Sequence, residues 1–361
     1  MNIIIFTNMN KDIYYVVGVM SGTSLDGIDL CYIKFEFQKK WKFKIIDFET
    51  ITYSLDWKTK LYNAILLGKK ELKTLDANYS LYLSKKISEF ILKNNVKKEA
   101  IVCSHGHTVF HQPENGITLQ IGNSIEIKNS LDNIIVCDFR VQDVKLGGQG
   151  APLVPIGDKL LFYDYDFCLN LGGFANISFE EEYKRIAFDI CPVNIVLNYY
   201  SEKLGFEFDE DGTISKQGTI NAKLLDSLNN LKFYKKEHPK SLGLEWVKKE
   251  VLLLIDSFDL EIKNILRTFI EHIAIQINNS VKNKPLGTIL VTGGGVYNTF
   301  LIQRIKSLSK HKIHIPESDI VNYKEALIFG LLGVLKLRNE VNCLSSVTGV
   351  TKDHSSGKTY K

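Results

Sequence analysis

Residues 16–30 read VVGVMSGTSLDGIDL. A β-rich run over 14–20 meets a turn of small and hydroxyl residues, Ser21, Gly22, Thr23 and Ser24, followed by Leu25, Asp26 and Gly27. A second β-rich run then extends over 28–37. Two strands joined by a Gly/Ser/Thr/Asp turn predict a hairpin. This turn is longer than a tight hairpin requires, and it carries hydroxyls and a carboxylate. Glycine lets backbone N–H groups approach an anion closely, so the tip suits a phosphate. A plain surface hairpin fits these residues equally well, and the rest of the chain has to decide.

At 361 residues the chain is long enough for two domains, each with its own core. The net charge of +4 comes from lysines interleaved with acidic residues, which describes a solvated surface rather than a nucleic-acid patch. Six cysteines (31, 103, 137, 168, 191, 343) lie far apart with no C-x-x-C pair, several inside apolar runs, as expected of buried reduced thiols. The apolar run over 3–6 is too short for a signal-peptide core and has no basic region before it. The longest apolar segment, 326–337, falls short of a membrane span. A cytoplasmic, soluble protein with neither a membrane nor a nucleic-acid partner is expected.

Residues before Lys11 read as a loose leader in which Met9 is an alternative start. A strand is expected over 42–53, helix over 58–95, and a short buried strand over 100–104 that ends in the polar loop HGHTVFHQPENG. IIVCD (134–138) is another strand, followed by the glycine-rich turn LGGQGAP (146–152). FCLNLGGFANISF (167–179) is again strand, glycine turn, strand, and so repeats the opening hairpin about half a chain later. A strand over 185–188 ends at Asp189, and Pro192 opens a helix that runs to Lys203. A long helical segment (247–282), the strand TILVTGGG (288–295), a helix from Asn298, a short strand (311–316) and a final apolar helix (323–337) close the chain. The polar tail from Thr351 reads as disordered. Two halves of this form predict a duplicated α/β fold, with the two turns facing one another across a cleft. The lobes are expected at 1–150 and 151–361, with the C-terminal helix over 323–345 packing back towards the first. A phosphate chain held between two hairpin tips is the arrangement of the actin-like sugar-kinase and chaperone superfamily.

VTGGGVYN (291–298) sets glycines between strand and helix, but G-x-G-x-x-G and a Walker A loop are both absent. Rossmann and P-loop readings are therefore disfavoured, while close approach of a base or ribose still suits the turn. His105, His107 and His111 have a spacing open to a metal, yet no carboxylate or thiolate completes the set nearby. Polar contacts in a cleft loop fit them better, and no protein-held metal is expected. Asp189 could cap the helix after it or act as a general base on water or a sugar hydroxyl, and position alone does not choose.

The chain resembles the anhydro-N-acetylmuramic acid kinase family over nearly its whole length. The residues that carry the resemblance are GVMSGTSLDGID (18–29), HGHTVFHQP (105–113), LQIG (119–122), DFR (138–140) and GGQGAPLVP (147–155). They continue with NLGGFANIS (170–178), GGG with Asn298, KEALIFG (324–330) and SSVTG (345–349). The resemblance implies a duplicated actin-like, ribonuclease H-like two-lobe fold with a central cleft, dependence on ATP and Mg²⁺, a homodimer, and a small amino sugar as substrate. The family reaction opens 1,6-anhydro-N-acetylmuramic acid with water and phosphorylates O6, giving N-acetylmuramic acid 6-phosphate in peptidoglycan recycling. By position, Gly22, Thr23, Ser24, Leu25, Asp26, Gly27, Ile28 and Asp29 should hold the ATP phosphates, with Gly172, Gly173 and Asn176 forming the facing turn. Gly293, Gly294 and Gly295 should lie near adenosine. Asp189 matches the general base. Arg140, Gln149, Gly150, Asn194 and Glu325 match the sugar side, with Glu325 helping to orient the water.

The departures cluster on the sugar side. Where the family usually reads DTGPGN, this chain reads DICPVN (189–194), so Ile190, Cys191 and Val193 should crowd the sugar or phosphate. STGREYF becomes SLGLEWV (241–247), which removes an arginine, and Val141 and Gln142 replace the arginines after DFR. Two other readings follow: a kinase of a related amino sugar without ring opening, and a catalytically inactive ATP- or sugar-binding regulator.

Overall fold

A computed structural model describes residues 12–22 and 25–361, so the leader, Thr23 and Ser24 lie outside the described residues. The chain forms two compact units. One takes the described residues up to Leu161 together with Tyr323–Lys361, and the other is Phe162–Asn322.

In the first unit β1 (Ile13–Ser21) lies at the centre of its sheet. It pairs antiparallel with β2 (Gly27–Phe37), and β2 pairs antiparallel with β3 (Trp41–Thr52). On its other side β1 runs parallel to β4 (Ile101–Gln112). The far half of β4 pairs with β5 (Ile117–Ile121), while its first half runs parallel to β6 (Ile135–Cys137). β1 reads as an apolar run because both of its faces are covered. Val17 and Val19 join a core with Leu75, Tyr79, Leu83, Ile87 and Phe90 of the helix Lys69–Lys93. The opposite face meets the helix Ser318–Leu337, with Gly330 against Val16 and Gly333 against Cys103. A Cβ on Gly18 would sit 2.0 Å from the Ala326 carbonyl oxygen, so only glycine lets this helix lie on the strand.

The second unit repeats the order of connection. β7 (Phe167–Leu171), β8 (Phe174–Glu181) and β9 (Lys184–Pro192) form an antiparallel meander. β10 (Thr288–Thr292) then runs parallel to β7, and β11 (Lys312–His314) runs parallel to β10. Helices Asn194–Glu202 and Ile262–Val281 cover this sheet through Val196, Leu197, Tyr200, Phe269, Ile270 and Ile273. Three meandering strands followed by two parallel ones make the ribonuclease H-like arrangement, here present twice. The two glycine-turn hairpins open the two copies.

The structure changes several expectations. Residues 151–161 belong with the first unit rather than the second, as do 323–361, whose helix was expected to pack back towards the first lobe. The helix Val154–Leu161 packs Gly157 on Ile328, and its Asp158 pairs with Lys324 at 2.7 Å in the interior. The polar loop after residue 104 is instead the continuation of β4, whose His105 and His107 are buried against polar partners while His111 is exposed. The tail is ordered: Lys358–Tyr360 pairs antiparallel with β6, and His354 bridges to Cys343. β9 runs on to Pro192, and the next helix starts at Asn194. The segment from Val247 is a π-helical turn (Val247–Leu252) and a short α-helix (Leu253–Asp256), with a break before Ile262. All six cysteines are buried. Among the described residues no helix is long and apolar enough to cross a membrane.

Candidate active site

In the first unit, the hairpin tip between β1 and β2 is held from below by side chains remote in sequence. Ser21 Oγ lies 2.6 Å from Tyr53 Oη, 2.7 Å from Tyr79 Oη and 3.4 Å from His107 Nδ1. Burial pushes the Tyr53 phenol up to about 12, raises Tyr79 as well, and lowers His107 to about 4. At neutral pH this floor is therefore a hydrogen-bonded set of uncharged groups. Above it, Gly22 and Leu25 are partly exposed, Leu25 with φ of 62°, and Asp26 is exposed. Gly27 packs against the Ile51 carbonyl and Ile28 is buried. Asp29 accepts a 2.6 Å hydrogen bond from the Thr50 hydroxyl. Burial raises the Asp29 carboxyl, the Thr50 bond opposes the rise, and the Asp26 charge adds to it.

The same unit brings Arg140, Gly150 and Glu325 together. Arg140 Nε donates to His105 Nε2 at 2.8 Å, and its Nη1 donates to the Gly150 carbonyl at 2.8 Å. Burial lowers Arg140 to about 10, with the Glu325 charge opposing, so the guanidinium stays charged at neutral pH. Desolvation raises the Glu325 carboxyl, Arg140 counters it, and the Asp29 charge adds to the rise. The 146–152 loop is pinned from outside itself: Gly150 N–H donates to Asp143 Oδ2 at 2.6 Å and Gln149 N–H to the Thr348 carbonyl at 2.7 Å. Gln149 itself is exposed. The three histidines do not converge on one point: His105 serves Arg140, His107 serves Ser21, and His111 Nδ1 meets the Thr118 hydroxyl at 3.1 Å.

In the second unit, the turn Gly172–Gly173 joins β7 to β8, and its carbonyls receive the start of the next helix. Val193 N–H donates to the Gly173 carbonyl at 2.8 Å and Asn194 N–H to that of Gly172 at 3.3 Å. Asp189 sits on β9 opposite Asn176 of β8. Its Oδ2 accepts the Leu242 N–H at 2.8 Å, and its own N–H donates to the Lys240 carbonyl at 3.1 Å. The helix Asn194–Glu202 has Val193 at its N-cap, so Asp189 does not cap it. Burial raises the Asp189 carboxyl and the Leu242 bond opposes the rise. A carboxylate with raised pKa is a better proton acceptor than an ordinary one. Ile190, Cys191 and Val193 turn into the hydrophobic core instead of crowding the ligand side. That corrects the expectation drawn from DICPVN: β9 and the helix start have inward-facing positions there, and the larger side chains fill them.

Gly293, Gly294 and Gly295 follow β10. Gly293 has φ of 86°, and a Cβ there would meet Asn170 Oδ1 at 2.7 Å, so no other residue fits. A cavity of about 520 Å³ opens beside this turn, lined by Gly294, Gly295, Asn194, Asn198, Phe208 and Tyr297 among others. That volume suits a nucleoside-sized ligand. Phe208 and Tyr297 in this lining are each about half exposed (51% and 50%). Asn194, expected with the sugar residues, lies with the glycine turn, whereas Arg140, Gln149, Gly150 and Glu325 lie in the other unit. Sequence reasoning missed Phe208 and Tyr297, and it missed Tyr53 and Tyr79 because they sit in runs that read as ordinary core. A broader, open hollow over Trp57, Lys60, Lys70 and Thr74 includes none of the expected site residues.

Comparison with known proteins bears on this arrangement. Residues 14–361 match the family model described as anhydro-N-acetylmuramic acid kinase. The protein of that name from Sulfurimonas denitrificans is 30% identical, over 96% of this chain and 99% of its own. That from Mannheimia succiniciproducens is 32% identical, over 95% of this chain and 98% of its own. Among solved structures, (R)-2-hydroxyglutaryl-CoA dehydratase component A of Acidaminococcus fermentans superposes with a TM-score of 0.45 at 12% identity, covering 90% of this chain and 99% of that one.

Proposed function

The chain belongs to the anhydro-N-acetylmuramic acid kinase family, and we propose that it opens 1,6-anhydro-N-acetylmuramic acid with water and phosphorylates the freed O6 from ATP. The observation that carries the ring-opening step is Asp189, half-buried, with its carboxyl raised and one oxygen held by the Leu242 N–H. Asp189 takes a proton from water as the water oxygen bonds to C1. The C1–O6 bond breaks, and O6 attacks the γ-phosphorus as the bond to the ADP oxygen breaks. ATP enters with Mg²⁺ as co-substrate, the ion neutralising phosphate charge. Gly22 to Asp29 and the Gly172, Gly173 and Asn176 turn are suited to the phosphates, and the cavity beside Gly294 and Gly295 to adenosine. Arg140, Gln149 and Gly150 are suited to the sugar, and Glu325 to orienting the water. Asn194, which lines the glycine-turn cavity, is reassigned from sugar to nucleotide. A cytoplasmic homodimer serving peptidoglycan recycling is part of the same reading.

The test is a mass-resolved assay with ATP, Mg²⁺ and either the anhydro sugar or N-acetylmuramic acid. The reading predicts that the anhydro sugar gains one phosphate and one water. Phosphorylation of the open sugar alone would replace it with a kinase that lacks ring opening. ATP binding without phosphorylation of either sugar would replace it with a regulator.

A further inference from the structure

Three segments meet on the Asp143 carboxylate, which is wholly buried. Its Oδ2 accepts the Gly150 N–H, while Oδ1 accepts the Thr348 hydroxyl at 2.8 Å and the Cys343 thiol at 3.2 Å. His354 arrives through its backbone bridge to Cys343, and its side chain is only 8% exposed. The His354 Nδ1 lies 3.4 Å from the Lys352 carbonyl, a partner that requires the proton on Nδ1. In a neutral imidazole held this way the lone pair is on Nε2, which has no hydrogen-bond partner and lies 3.6 Å from Asp143 Oδ1. A lone pair and a carboxylate oxygen buried face to face repel unless a positive species lies between them.

We propose that Asp143, Cys343 and His354 form a binding site for a divalent transition-metal ion of the zinc class. One imidazole nitrogen, one thiolate and one carboxylate oxygen are donors zinc prefers, and three protein donors leave a fourth position for water. Zinc–donor bonds of about 2.0–2.3 Å in a tetrahedron imply donor–donor edges of roughly 3.3–3.6 Å. The edges here are 3.2 Å and 3.6 Å, and all three donor atoms lie within 4.8 Å of one another. The Lys352 carbonyl supplies the outer hydrogen bond that holds a ligating imidazole in register. Binding displaces the Cys343 thiol proton, one per ion, and leaves Asp143 Oδ2 on Gly150. The ion would clamp the 343–354 segment to the 147–150 loop, whose Gly150 carbonyl receives Arg140. The site is independent of the assignment of the reaction.

The full chain, stripped with a chelator and kept free of oxygen, is titrated with Co²⁺ and followed by absorbance. One equivalent should produce a thiolate-to-cobalt charge-transfer band that Zn²⁺ abolishes. Cys343→Ser, which retains a hydrogen bond to Asp143, should lose the band, and His354→Gln should weaken Co²⁺ binding about tenfold or more. Zn²⁺ should raise the melting temperature of the parent protein and leave that of Cys343→Ser unchanged. The absence of a band in the parent protein at micromolar Co²⁺ would overturn the proposal. A band that survives Cys343→Ser would overturn it too, since the ion would then be bound elsewhere.

Discussion

At the scale of single residues, the role proposed for Asp189 couples activity to stability with opposite signs. Its carboxyl is raised above the ordinary 3.8 by burial, so the folded protein holds that proton to higher pH than the unfolded chain does. The protonated form thus favours folding at low pH, and that contribution is lost as pH rises through the folded pKa. Asp189→Asn should cut turnover roughly 10²- to 10⁴-fold with ATP affinity nearly unchanged. Its melting temperature at neutral pH should equal or exceed that of the parent, because a desolvated charge has been removed. The acid limb of the parent kcat/KM profile should lie above the ordinary carboxylate range. A calorimetric melt and a pH–rate series check these points. Arg140 makes a different demand, for two donors in a fixed fork, one on His105 and one on Gly150. Lysine cannot supply both, so Arg140→Lys should raise KM for the sugar about tenfold, the loss of about one hydrogen bond to a charged group. KM for ATP should stay within about twofold, as steady-state kinetics with each substrate varied will report.

At the scale of elements, the glycine-turn hairpins were legible because turn chemistry is local. Gly22, Asp26, Gly172 and Gly173 announce themselves by residue type alone. The far half of β4 was not legible, since HGHTVFH lacks apolar alternation; His105 and His107 are satisfied by Arg140 and Ser21, which are remote in sequence, and His111 by Thr118 on the paired strand. The C-terminal strand was hidden for a similar reason. Lys358–Tyr360 has no strand signature of its own and is ordered by β6, by the Ser356 hydroxyl on the Phe139 carbonyl at 2.6 Å, and by Tyr360 Oη on the Asn123 carbonyl at 2.9 Å. Ending the chain after Val350 should therefore expose the β6 edge and lower the melting temperature by several degrees, a loss on the order of 1–3 kcal/mol. A truncation that melted like the full chain would contradict this account of the tail. Gly18→Ala tests the other face of the sheet. The added methyl meets the Ala326 carbonyl, so the helix Ser318–Leu337 must shift, at a cost of about 1–3 kcal/mol readable in urea unfolding.

For the molecule as a whole, the repeat of hairpin, helix and strand in the two halves was enough to expect a duplicated fold, and each unit carries the same five-strand order. The division of the chain was harder to foresee. The return of 151–161 to the first unit has no local sign in the sequence, whereas the helix from 323 was expected there, and Gly18, Gly330 and Gly333 let it lie close to β1 and β4. The candidate site divides in the same way. The glycine turns stand out in the sequence and Asp189 through the family resemblance, whereas the anchoring of the 146–152 loop by Asp143 and Thr348 depends on contacts about 200 residues apart (143 with 348). The substitutions in DICPVN looked like changes to the ligand side, yet Ile190, Cys191 and Val193 are core residues in the structure. The central claim is that water and ATP both act on one sugar, and the most direct measurement is the product formed from 1,6-anhydro-N-acetylmuramic acid in heavy-oxygen water. The account predicts a 6-phosphate bearing one heavy oxygen at C1, formed by the parent protein and not by Asp189→Asn. A phosphorylated product that has taken up no heavy oxygen, or the same labelled product from the variant at undiminished rate, would contradict it.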